Sequence, residues 1–137
     1  MVHALKQTHR ILRPNGFLIN IHDLPAPQVI EVHKHDAINK VGWLLDREDM
    51  DSTRSALNAL AQVVTDGDFL LEDEQDFAYN IYADDLPELQ EWLAKWWSSA
   101  ILSDRIIRQL KELLRDASQS TRIVLALRAR MTKLRAV

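Results

Sequence analysis

The sequence predicts an α/β fold with a mixed sheet, an inserted β-hairpin and flanking helices. Three observations predict it. The chain opens on an amphipathic segment that passes through a proline and an Asn-Gly pair into a short apolar run. Two long segments, Phe69 to Tyr82 and Thr121 to Val137, alternate in polarity at the period of a strand. The remaining segments carry apolar residues at helical spacing behind good capping residues.

In the first element, Ala4, Leu5, Thr8, Ile11 and Leu12 form one stripe of a helix, and Arg10 and Arg13 suit its C-terminal dipole. Pro14 ends it, and Asn15-Gly16 supplies a turn that tolerates positive φ. Phe17, Leu18, Ile19 and Ile21, interrupted only by Asn20, read as a strand covered on both faces. His22-Asp23 ends that strand, and Pro25 and Pro27 make the next stretch an extended loop.

Gln28 to Leu45 reads as a hairpin, with arms Val29–His33 and Lys40–Leu45. A helix follows, capped by Asp51 or Ser52, with Ala56, Leu57, Leu60, Ala61 and Val64 facing inward and Gly67 as a left-handed exit. In Phe69 to Tyr82 the run Glu72 to Asp76 predicts a solvated or bulged middle. Asp85 caps the next helix, with Pro87 in its first turn and Leu89, Trp92, Leu93 and Trp96 along one side. Trp97-Ser-Ser99 breaks it. Ser103 or Asp104 caps Arg105 to Asp116. The basic end of the last strand should lie antiparallel against Glu72, Glu74 and Asp76 of the Phe69 strand.

Ala4, Leu5, Arg10, Leu12, Pro14, Gly16 and the strand Phe17 to Ile21 resemble the late helix, R-x-L-x-P-x-G turn and fifth strand of class I S-adenosylmethionine-dependent methyltransferases. Asn15 stands where that family usually has glycine. The resemblance implies the C-terminal half of a Rossmann-like fold, with the last strand antiparallel between the fifth and sixth. It implies that an intact member binds S-adenosylmethionine through a glycine-rich loop and a ribose-binding acid in its N-terminal half. Neither is legible here: Gly16, Gly42 and Gly67 are scattered. The expectation is therefore a chain with no cofactor of its own and no catalysis in isolation. Met1 starts almost inside a helix, which fits a chain whose N-terminal half is missing.

His22 and Asp23 are the best-placed polar pair, at the strand end where open α/β sheets bind ligands. The resemblance places them near the methyl acceptor as substrate-side contacts. As neighbours on a strand they point to opposite faces, which speaks against a simple dyad. No catalytic residue is assigned. His33, His35 and Asp36 lack further converging ligands, so no metal site is expected. Trp92, Trp96 and Trp97 have ordinary core spacing.

The 137 residues, 47% hydrophobic with a formal net charge of −3, suit a single domain over residues 1–137. The weak acidity speaks against nucleic acid as a partner. No apolar run reaches the roughly 20 residues of a membrane span. Cysteine is absent, which favours the cytoplasm. Two partners are expected. One is a missing N-terminal methyltransferase segment. The other is a second copy of the chain, forming a homodimer, because Phe17 to Ile21 would otherwise be an unprotected edge. The competing function class is a stand-alone, non-enzymatic, self-associating or regulatory module.

Overall fold

In the computed structural model, residues 1–116 and 120–137 are described. The elements are α1 (Val2–Ile11), β1 (Phe17–Asp23), β2 (Gln28–Lys34), β3 (Ala37–Leu44), α2 (Arg47–Thr65), β4 (Phe69–Ala83), α3 (Leu86–Trp96), α4 (Asp104–Leu113) and β5 (Arg122–Ala136). Strand pairing follows the order β1-β5-β2-β3, with β4 also on β5, giving an open five-stranded sheet. This is a general α/β architecture compatible with Rossmann-like folds. Among the described residues no helix is long and apolar enough to cross a membrane.

The chain divides into two compact units: residues 1–25, 49–77 and 128–137, and residues 26–48 and 78–127. In the first unit, α1 reaches β1 through a turn in which Asn15 takes the positive φ of 62°. Gly16 is needed there for a different reason: a Cβ would sit 2.8 Å from the Arg13 carbonyl oxygen. β1 pairs antiparallel with the second half of β5, from Phe17 opposite Arg135 to Asp23 opposite Ala129. β1 occupies one edge of that segment, so β4 takes the other.

The side chains give β4 its direction. Glu72 meets Lys133 at 3.1 Å and Arg135 at 2.7 Å, while Glu74 and Asp76 meet Arg130 at 2.9 and 2.6 Å. Rising numbers on β4 meet falling numbers on β5, so β4 is antiparallel to β5, as the charge pattern predicts. β1 and β4 therefore run the same way on either side of β5, each antiparallel to it. Leu5, Ala59, Leu60, Val63, Phe69, Leu134 and Ala136 fill this unit's core.

In the second unit, β2 and β3 form the inserted hairpin, turning at His35-Asp36, with a register shift after Ile30. β2 pairs antiparallel with the first half of β5, from Val29 opposite Ala126 to His33 opposite Arg122. Asp85 caps α3 by accepting from the Glu88 amide, and Ser103 caps α4 by accepting from the Ile106 amide. Ile30, Val32, Leu44, Leu89, Ile106, Leu110, Ile123 and Leu125 belong to its core.

Four expectations need correction. β1 is not covered on both faces: Phe17, Ile19 and Ile21 are 49%, 50% and 60% exposed. No described element packs over that face, so the apolar run alone misled. Ile11 and Ala4 fall outside the buried stripe of α1, where Leu5 alone is fully buried, because the helix presents a narrow face to its unit's core. α2 begins at Arg47, before Asp51 and Ser52, since the charged run continues the helix. Trp96 is 66% exposed with Lys95 over its ring, whereas Trp92 and Trp97 pack on the core. Trp97 also donates its indole N–H to buried Asp46, which Ser99 joins. That contact holds the α3 exit in a fixed place.

Candidate functional site

The polar cluster around His22 lies in the first unit and is built by strand register. Leu18, Asn20 and His22 of β1 stand opposite Leu134, Thr132 and Arg130 of β5. Opposite residues of an antiparallel pair share a face. Leu134 is fully buried in the core, so Asn20, His22, Thr132 and Arg130 belong to the core-side face. Phe17, Ile19, Ile21 and Asp23 belong to the other. The two residues expected at the substrate side are therefore adjacent in sequence but divided by the sheet.

His22 is half-buried. Its Nδ1 lies 2.5 Å from the Asn20 side-chain nitrogen. An amide nitrogen donates, so Nδ1 accepts, and the proton of the neutral ring sits on Nε2. That Nε2 is buried and has no hydrogen-bond partner among the described residues. Burial first, and then the Arg130 charge, hold the imidazole below its ordinary value; Asp23, Glu74 and Asp76 pull the other way. The result is a neutral ring that can donate from Nε2 and whose second nitrogen is already occupied. A general base needs a free lone pair at the reacting atom.

Arg130 is the hub on the β4 side. Its Nε and Nη2 donate to the two Asp76 oxygens at 2.6 and 3.1 Å, and its Nη1 is 2.9 Å from Glu74. This fork geometry holds the Asp76 carboxyl below its usual value and raises the arginine. Beside it, a cavity of about 480 Å³ lies between α2 and the sheet, lined by Leu57, Ala61, Leu134, Thr132, Glu74 and Arg130. The cluster offers hydrogen-bond donors and acceptors beside an apolar wall. It contains no activated nucleophile.

Sequence reasoning found His22 and anticipated the pairing of Arg130 with the acidic run. It missed Asn20 as the hydrogen-bond partner of His22. Asn20 was visible as the one polar interruption of an apolar run, and the β1–β5 register is what turns it toward His22. Elsewhere, His33 is occupied by Glu31 at 2.6 Å, and His35 and Asp36 sit exposed on the hairpin turn. Among the described residues no three His, Cys, Asp or Glu side chains converge as a metal site.

The residues present do not fit S-adenosylmethionine. A glycine-rich cradle requires glycine at a strand-to-helix turn, where helix N-terminal amides face the ligand. Gly16 and Gly67 lie in helix-to-strand turns, and Gly42 lies inside β3 beneath Ile106. None occupies such a turn. The fold thus defines a general α/β module with a partly buried polar cluster. Comparison with family models, with curated proteins and with solved structures returned no match for this chain.

Proposed function

We propose that this chain is the C-terminal, substrate-side portion of a class I S-adenosylmethionine-dependent methyltransferase fold, and that it transfers no methyl group by itself. One observation carries the reading: β5 runs antiparallel between β4 and β1, the strand of the helix–Pro–Gly–strand unit that prompted the resemblance. His22 and Asp23 then serve as substrate-side contacts, with the His22 N–H as a donor to an acceptor atom of the substrate. The cofactor-binding half comes from another segment, joined to this one or supplied separately. No catalytic step is assigned to the residues described, because the cradle they would need is absent from them.

Calorimetry tests the reading. Titration of S-adenosylmethionine into this chain should give no stoichiometric site at micromolar concentration. The same titration into a longer chain, extended upstream through a strand and a glycine-rich turn, should give one. A micromolar site on the chain alone would overturn the proposal. So would an upstream extension that folds and still binds nothing, if no separate partner restores binding.

A second reading is favoured by the exposure of Phe17, Ile19 and Ile21. On this reading the chain is a stand-alone, non-enzymatic module that covers this strip by self-association.

A further inference from the structure

The outer edge of β1 has a sequence that can pair with itself. β1 ends the strand order, so one row of its backbone amides and carbonyls has no strand partner among the described residues. An open edge of this kind is a template for another strand. Natural edges are usually guarded by charge, proline or a bulge. From Phe17 to Ile21, β1 has none of these.

We propose that β1 is a docking edge for β1 of a second copy, antiparallel and centred on Asn20. This gives a concrete form to the self-associating reading and rests on it. In that register, residue numbers on the two strands sum to 40, and all seven positions from Phe17 to Asp23 are paired. Ile19 meets Ile21 of the second copy, Leu18 meets His22, and Phe17 meets Asp23. Because the sum is even, odd positions meet odd positions and the two exposed apolar strips become one. No like charges face each other. The Lys133 ammonium, held by Glu72 at 3.1 Å, lies 4.0 Å from the Phe17 ring centre on the same face as this strip. A two-fold axis through Asn20 makes both halves identical and leaves no free outer edge on either β1.

The register makes the test specific. The chain has no cysteine, so single-cysteine variants report cleanly. Asn20→Cys lies opposite itself across the axis, within the span that a disulfide bridges. Phe17→Cys lies six residues from its own copy along the strand, roughly 20 Å away. Leu71→Cys, exposed on β4, is the control for random collision. Under mild oxidation Asn20→Cys should form a covalent dimer while the other two stay monomeric. In sedimentation equilibrium the unmodified chain should dimerise in the micromolar range, and Ile19→Lys should shift it to monomer while remaining folded. An unmodified chain that stays monomeric at high micromolar concentration would overturn the proposal. Cross-linking of Phe17→Cys or Leu71→Cys as fast as Asn20→Cys would overturn the register. The methyltransferase reading stands apart from both outcomes, because its own test is cofactor binding.

Discussion

β1 and β4 flank the same half of β5 and meet water in opposite ways. β4 carries Glu72, Glu74 and Asp76 against Lys133, Arg135 and Arg130. Those charges are balanced within the pair, although Leu70 and Leu71 of β4 are also about half exposed. β1 shows Phe17, Ile19 and Ile21 instead, each about half exposed. Both strands lean on one central partner, yet only β4 is tied to it by a run of ion pairs. The difference teaches that hydrophobic pattern alone does not say whether a strand is interior. A strand with apolar residues on both faces can leave one of them open to water.

The most damaging change removes what the two edges share. Leu134, fully buried opposite Leu18, joins the core of the first unit. Leu134→Ala should cost about 2–5 kcal/mol in urea unfolding, by lost burial and a residual cavity. Next is Gly16→Ala, which strikes only the β1 side. Its Cβ would meet the Arg13 carbonyl oxygen at 2.8 Å, backbone that can move only by opening the α1–β1 turn. A loss of about 1–3 kcal/mol is expected.

Arg130→Met strikes the β4 side. It leaves Glu74 and Asp76 without their shared cation, so the urea midpoint should fall by less than in either core change. The loss should shrink in high salt, as exposed pairs do. Equal sensitivity of Ile19→Lys and Arg130→Met in the monomer would erase the contrast between the edges, because Ile19 supports no ion pair.

The smallest effect is a pH dependence. Folding lowers the His22 value below 6.5. Between the folded value and 6.5 the unfolded chain binds more protons, so stability falls as pH drops through that window. His22→Gln should remove this part of the slope. Glu72 and Asp76 are lowered from 4.5 and 3.8 by Lys133 and Arg130 respectively. Their contribution is present above those values and is lost at lower pH, as the folded-state carboxylates protonate. Acid should therefore loosen β4 as these carboxylates protonate. A stability that rises on acidification through 6.5 would contradict this assignment.

Much of the fold was legible because local chemistry determined it. Asp85 and Ser103 cap helices, Gly67 takes a positive φ of 81°, and the prolines at 25 and 27 separate β1 from the hairpin. The pairing of β4 with β5 was legible from charge, since acids on one alternating segment and bases on another have one good register direction. The site was legible only in part. His22 stood out by its place at a strand end, but its bond to Asn20 depends on which face the β1–β5 register gives each residue. The exposure of Phe17, Ile19 and Ile21 was not legible at all, because it depends on which elements pack over that face and the run itself does not say.

The antiparallel placement of β5 between β1 and β4 supports every functional reading above, and nuclear Overhauser contacts between backbone protons test it directly. The account predicts cross-peaks from Thr132 to Asn20 on one side, and on the other from the Arg130 region of β5 to Glu74 and Asp76 of β4. Antiparallel strands place alternate Cα atoms close together across the pair, so strong Hα–Hα contacts should appear on both sides. Contacts to β1 alone, or a parallel pattern on the β4 side, would contradict the account. The resemblance to a methyltransferase C-terminal half would then lose the observation that carries it.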